Sequence, residues 1–253
     1  MGNLDTALFI GKTSYHFETL PSTNSFATEL LSLHKPAEGT IIVAENQTAG
    51  RGQLAKLWES EPNKNITMSV ILYPTFLHAS ENIVLNQSIA LGVHDFIQTF
   101  VKNKIKIKWP NDIYIGNKKI SGILIQNSLQ GELIQHSIIG IGINVNQTQF
   151  EAAENPTSLA LETEATFDLS ILIAKLCYCL EYRYLQLKNR DFATIKHDYH
   201  SQLHQLKENK EYMHLATSEV FTGSLQGINE EGKLLINTDK GVQIYNLHEI
   251  KFL

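Results

Sequence analysis

The sequence predicts an α+β domain with a mixed or antiparallel sheet, over residues 1–208, followed by a small all-β module over 209–253. Three observations carry this. Strand-like apolar runs are grouped around one long amphipathic segment rather than alternating strictly with helices. A second strongly helical segment stands far downstream, at 168–189. From about Lys210 the texture changes to short apolar runs parted by Gly-containing turns, the spacing of a small barrel.

The elements follow in order. Residues 7–17 read as a strand with a Gly-Lys turn inside or beside it. Pro21, Ser22, Thr23, Asn24 and Ser25 are helix-capping types, and they precede Phe26, Ala27, Leu30 and Leu31 at helical spacing. Residues 39–44 form a short apolar strand that runs into the loop Gly50, Arg51, Gly52. The run ITMSVILY, 66–73, is a buried strand, and 80–100 repeats its apolar residues near a 3.6 period. In KIKIKW, alternation puts Lys104, Lys106 and Lys108 on one face and Ile105, Ile107 and Trp109 on the other. A Pro110 turn leads to a strand at 113–115, a turn at Gly116 and Asn117, and a further strand. Residues 132–146 are another strand run, Asp168 caps a helix reaching about Asn189, and a second helix is expected over 191–207. In the terminal module, strands are expected around Val220, Leu234 to Ile236 and Val242 to Tyr245.

Bulk properties narrow the function. The chain has 253 residues, 43% of them hydrophobic and 19% charged, an ordinary composition for a globular protein with a sizeable core. A net charge of −5 disfavours wholesale nucleic-acid binding. The N-terminus does not read as a signal peptide, and the apolar runs are too short to span a bilayer. Cys177 and Cys179 are two apart on a helical segment, so they point to different faces and read as reduced core cysteines.

Several patterns can bear chemistry. The Gly50, Arg51, Gly52 loop brings backbone amides and a forked cation together with the aromatic Trp58, although such loops also make ordinary turns. It is neither a Walker loop nor a Rossmann fingerprint. In KWPND, Asn111 and Asp112 can recognise a base, hold a metal or shape the turn. Gly140 and Gly142, inside a strand, mark a close approach of backbone or ligand, or else a bulge. Lys104, Lys106 and Lys108 are a phosphate floor or a solvated face. Lys119 next to Gly122 can reach a ligand carboxylate. His197, His200 and His204 share a helix face at metal-binding spacing, for which a solvated face is the blander reading. No HExxH, GxSxG or Cys/His nucleophile pattern occurs.

Taken in order, five segments resemble the biotin protein ligases, the biotin–[acetyl-CoA-carboxylase] ligases. They are Ser22, Thr23, Asn24; Gln47 to Gly52 with Trp58; Lys108 to Asp112; Lys119 to Leu124; and Gly140 to Asn146. Thr157, Ser158 and Leu159 add a sixth short match. The resemblance implies a fold like that of class II aminoacyl-tRNA synthetases and biotin ligases, with a C-terminal SH3-like barrel. It implies an enzyme that makes biotinyl-5′-AMP from biotin and ATP with Mg²⁺, then transfers biotin to one lysine of a biotin carboxyl carrier domain. It assigns biotin to Ser22, Thr23, Asn24, Gln47, Gly50, Arg51, Gly52, Gln53, Lys119 and Gly122. The nucleotide falls to Trp58, Lys108, Asn111, Asp112 and Asn144, with Asp112 the metal partner and Arg51 and Lys119 the catalytic cations.

Two departures shape the expectation. The loop continues as Gln53, Leu54, Ala55, Lys56, Leu57, poorer in arginine than many members, which implies that the intermediate is held by packing as well as charge. The chain also begins at the catalytic region, so a monofunctional, cytoplasmic ligase is expected. It would have no nucleic-acid or membrane partner and act as a monomer or weak homodimer. The alternatives are a lipoate–protein ligase, which the whole Gly50-Arg51-Gly52 and KWPND set argues against, and a non-catalytic sensor, which Arg51 and Lys119 argue against.

Overall fold

The computed structural model describes residues 7–50, 52, 57–102, 104–151 and 154–253. A seven-stranded mixed sheet forms its centre, in the order β1-β2-β3-β7-β6-β5-β4. The strands are β1 (Ser14–Leu20), β2 (Ile41–Gln47), β3 (Ile66–Leu72), β4 (Ile105–Lys108), β5 (Asp112–Ile115), β6 (Lys118–Gln130) and β7 (Leu133–Ile143). Edge strand β1 runs parallel to β2, and every other neighbouring pair is antiparallel. β3 is buried along its whole length because both faces are covered, which explains why its apolar residues fall on both faces rather than alternating with exposed polar ones.

Helix α1 (Thr23–Leu33) covers one face, packing Ala27 and Leu30 on Ile42, Ile71 and Ile138. The other face carries α2 (Asn82–Gln98), α4 (Leu169–Lys188) and α5 (Phe192–Ser201); the short α3 (Leu159–Thr163) follows the last strand of the sheet. α2 and α4 approach closely at Gly92, where an added Cβ would stand 3.1 Å from the Leu180 Cα. α4 is capped as its sequence requires: the Asp168 carboxylate accepts from the Ser170 and Ile171 amides. A buried carboxylate on the same helix, Glu181, accepts from the amides of Leu8, Phe9 and Ile10 and ties the N-terminal segment down.

A second, antiparallel sheet of five strands follows, in the order β11-β10-β9-β8-β12. Its strands are β8 (Asn209–His214), β9 (Val220–Ile228), β10 (Leu234–Thr238), β11 (Gly241–Tyr245) and β12 (Ile250–Phe252). This is the small antiparallel module expected of an SH3-like unit. It does not have a core to itself. Tyr212, Leu225, Leu234 and Ile236 belong to the same buried cluster as Phe96, Ile107 and Tyr199.

Four expectations need correction. Residues 8–13 form turns, so the first strand begins only at Ser14. Helix α5 ends at Ser201 and does not reach Lys207. Leu203 leaves it to bridge Ile107, and Leu206 bridges Leu225, so pairing with two sheets overrides helical propensity. His204 therefore does not share a helix face with His197 and His200, and among the described residues no three metal-ligating side chains cluster. Trp109 lies beyond β4, and its indole nitrogen donates to the Gly232 carbonyl of the second sheet at 2.9 Å. Cys177 is buried and Cys179 half-buried, both free, and burial pushes the Cys177 thiol up to about 12.

Candidate active site

A cleft of about 1010 Å³ opens over β6 and β7, between the N-terminus of α1, the loop after β2 and the last strand of the second sheet. Its floor is made possible by glycine. An added Cβ at Gly140 would stand 2.5 Å from the Asn24 Oδ1, and one at Gly142 would stand 2.4 Å from the Trp58 ring. The close approach that these strand glycines permit is therefore made by two side chains, Asn24 and Trp58, and not by a bulge.

One end of the cleft is a recess of neutral polar groups. Ser22 is the N-cap residue of α1, and its side chain makes no capping bond to its own helix. The Gln47 Oε1, at the end of β2, accepts from the Thr23 amide at 2.8 Å. The Ser69 hydroxyl on β3 lies 2.7 Å from the Thr23 Oγ1 and 2.6 Å from the Asn24 Oδ1. The Asn24 amide nitrogen donates to the Gln126 Oε1 at 3.0 Å. Ser22, Thr23, Asn24 and Ser69 are all buried. Ser69 and Gln126 are additions that motif reading missed. The available signal was a hydroxyl at the centre of a largely apolar, fully buried strand, which needs a partner.

The middle of the cleft holds charge. The Lys119 ammonium donates to the Asp112 carboxylate at 2.7 Å, and both side chains are partly exposed to the cleft. The Lys119 backbone is clamped on both sides, its amide donating to the Asn155 carbonyl at 2.7 Å and its carbonyl accepting from Thr157 at 2.8 Å. Lys108 also lines the cleft. Burial pulls its pKa down, opposed by the nearby Asp112 and Glu154 carboxylates. Its ammonium lies 5.0 Å from the Tyr114 ring centroid and 5.3 Å from that of Phe252. Lys104 and Lys106 do not join it. The Lys106 ammonium turns away to the Ser201 carbonyl and the Gln202 side chain.

Beside the Lys119–Asp112 pair the Trp58 ring lies over Gly122 and Gly142, its centroid 5.9 Å from the Lys119 ammonium, and beyond it stands Asn144, just past the end of β7, with Asn111 next to Ile123 of β6. The Asn144 Nδ2 donates to the Thr157 carbonyl at 2.9 Å, which fixes the amide orientation and leaves its buried Oδ1 without a partner. The Trp58 Nε1 is likewise buried and unpartnered. The Asn111 Nδ2 is committed to the Ile123 carbonyl, so this side chain also ties the turn between β4 and β5 to β6. Gly52 and Gly122 line the cleft. Gly50 is buried behind it, its carbonyl accepting from the Trp58 amide at 3.1 Å. Arg51 and Gln53, with Leu54, Ala55 and Lys56, lie outside the described residues. Lys251, Phe252 and Leu253 bring the end of the chain to the cleft wall, which the motifs did not indicate.

The mixed sheet thus carries, along one cleft, a polar recess, a central lysine–carboxylate pair beside the Trp58 ring, and the free Asn144 acceptor. Residues 16–144 match the model of the Biotin/lipoate A/B protein ligase family, and the chain belongs to that family. It is 34% identical over 239 residues to the bifunctional ligase/repressor BirA of Bacillus subtilis, covering 92% of this chain and 72% of that protein. The biotin–[acetyl-CoA-carboxylase] ligase of Paracoccus denitrificans is 27% identical over 243 residues, with 92% and 99% covered. Among solved structures, the biotin protein ligase from Aquifex aeolicus in complex with biotin and ATP superposes with a TM-score of 0.78 at 27% identity, covering 96% of this chain and 99% of that one.

Proposed function

We infer that this protein is a biotin protein ligase, which adenylates biotin with ATP and transfers it to a lysine of a biotin carboxyl carrier domain of acetyl-CoA carboxylase or a related carboxylase. One observation carries the reading beyond family membership: a neutral polar recess and an unpartnered amide acceptor stand at opposite ends of one cleft, with Lys119 between them. Biotin is such a molecule in its own right, a ureido ring at one end and a carboxylate at the other.

In this reading Ser22, Thr23, Asn24 and Gln47 satisfy the ureido ring, because a buried ureido needs its donors and acceptors paired. The acyl chain runs past the Trp58 ring, which covers Gly122, towards Lys119, which orients the carboxylate. A carboxylate oxygen attacks the α-phosphorus of ATP. The new C–O–P bond forms as the bond to the β-phosphate bridging oxygen breaks, and pyrophosphate leaves with that electron pair. Two anions must meet, so fixed cations aimed at the reacting oxygens lower the barrier. Lys119 and Arg51 have that role, and Lys108 and Lys251 extend the positive wall towards the polyphosphate. The free Asn144 Oδ1 accepts from the adenine amino group, with Trp58 stacked on the base and Asn111 beside it. Asp112, a cleft-lining carboxylate whose Oδ2 pairs with Lys119, would hold Mg²⁺, which takes one or two carboxylates together with substrate phosphates and keeps several waters. Bound there, the ion would supply charge neutralisation on the departing pyrophosphate.

Transfer follows when the neutral carrier lysine attacks the acyl carbon. The amide bond forms, the acyl–phosphate bond breaks and AMP leaves. Gly50, Gly52 and Gln53 belong to the loop that shields the mixed anhydride from water until then. The division at 208/209 serves the same chemistry, because the C-terminal unit walls the nucleotide end. Among the described residues no helix is long and apolar enough to cross a membrane. The test is incubation with ATP, Mg²⁺, biotin and an unmodified carrier domain. Mass spectrometry should find one biotinyl group on the carrier lysine. A carrier that stays unmodified, or one that accepts lipoyl instead, would contradict the reading.

A further inference from the structure

Ser69 makes no part of the cleft lining, yet it stands at the centre of the polar recess. It is fully buried on β3, 2.7 Å from the Thr23 Oγ1 and 2.6 Å from the Asn24 Oδ1. A hydroxyl has one proton, so the direction of these two contacts can be worked out. The Asn24 amide nitrogen faces two acceptors, the Gln126 Oε1 at 3.0 Å and the Leu124 carbonyl at 3.4 Å, which turns its oxygen towards Ser69. That oxygen only accepts, so Ser69 must donate its proton to Asn24. Two oxygens 2.7 Å apart need a proton between them, so Ser69 must accept from Thr23. The 3.3 Å contact from the Thr23 Oγ1 to the Gln47 Oε1 is then left without a proton, and Gln47 is held by the Thr23 amide instead.

We propose that Ser69 is a specificity-determining positioning residue: the relay Thr23 to Ser69 to Asn24 consumes the Thr23 proton inward and leaves only a lone pair facing the cleft. A ligand head must then offer an N–H there. A ureido ring does. A dithiolane ring has no donor, and it would leave a buried acceptor unpaired, the kind of mismatch by which polar sites reject analogues most strongly. Gly140 is part of the device, since a Cβ there would displace Asn24 and with it the acceptor that sets the polarity. The inference rests on the biotin ligase reading and deepens it: the choice between the family's two kinds of acid is set by a residue that does not touch either.

The experiment measures dissociation constants by calorimetry for biotin and for the two cyclic carbamates in which one ureido N–H is replaced by oxygen. These analogues keep the shape and turn a donor into an acceptor. Wild type should reject one of them by at least about 100-fold relative to biotin. In Ser69→Ala the Thr23 proton is free to turn outward, and the ratio should fall to about 10-fold or less. Ser69→Thr, which keeps the hydroxyl, should restore the wild-type ratio. Ser69→Cys, which keeps volume with a weak donor, gives the same reading as alanine if the alanine variant does not fold. A merely structural role would weaken both ligands equally, so an unchanged ratio in folded Ser69→Ala or Ser69→Cys overturns the proposal. A wild-type protein that binds no biotin overturns the ligase reading, and this inference with it.

Discussion

Single residues in this cleft have separable jobs, so substitutions should separate steps. In the proposed mechanism Lys119 stands next to the reacting carboxylate, so replacing it by methionine should slow adenylation by about 10²–10³-fold, as when one donor to a developing charge is lost. Single-turnover formation of biotinyl-5′-AMP checks this, and a loss smaller than about tenfold would relieve Lys119 of the role. Asn144→Ala removes the unpartnered amide oxygen, and KM for ATP should rise about tenfold with KM for biotin unchanged, the worth of one hydrogen bond. Gly142→Ala should push the Trp58 ring off the floor, because a Cβ would stand 2.4 Å from its Cε2. In a Trp109→Phe background the remaining tryptophan should report this as a red-shifted emission, and an unshifted spectrum would mean the floor has room to spare. These glycines were visible in the sequence as a strand anomaly. What lay above them was not, because Asn24 and Trp58 reach them from 116 residues (140 − 24) and 84 residues (142 − 58) away in the chain. Ser69 shows the same limit. A serine in a buried strand signals a partner, and only the fold names Thr23 and Asn24.

Elements were legible where local chemistry determines them. Asp168 sits at the cap of α4, and the helix ends with Asn189 as its C-cap, both read from residue type alone. Elements were missed or overextended where tertiary pairing decides. β12 has three residues, too few to carry a pattern, and β8 reads NKEYMH, largely polar. α5 was overextended because Leu203 and Leu206 are recruited by two sheets. Two predictions belong to this scale. Glu181→Gln leaves a single acceptor oxygen for the three amides that hold the N-terminal segment to α4, and it should cost roughly 2–3 kcal/mol in urea unfolding. A shift below about 0.5 kcal/mol would make that clasp incidental. The second concerns pH. Burial raises the Asp95 pKa, but hydrogen bonds from His94 and Arg183 and the Arg183 charge outweigh it, so the folded value lies below 3.8. A carboxylate depressed on folding adds stability that is fully present well above its unfolded pKa and is lost as pH falls through its folded one. Asp95→Asn should therefore destabilise the protein at neutral pH, with the difference from wild type shrinking below about pH 4. A pH-independent difference would show that packing, not charge, is what the substitution removes.

The whole molecule is one hydrophobic body that carries its cleft between two sheets. Tyr212, Leu225, Leu234 and Ile236 share the core of the main sheet, so removing residues 209–253 should expose that core and collapse thermal stability, not merely release a bystander. A point change is the cleaner probe of the second sheet. Lys251→Glu places an anion on the cleft wall near Lys108, and it should raise KM for ATP while leaving biotin affinity intact. The arrangement as a whole, a polar recess, a central cation and a free acceptor along one cleft, predicts an enzyme that activates one particular acid. The direct measurement is exchange of labelled pyrophosphate into ATP, with Mg²⁺, run in parallel with biotin, with lipoate and with no acid. Exchange that depends on biotin, with none above background for lipoate, is the predicted result. Exchange with lipoate instead, or none with either acid from folded protein, would contradict it.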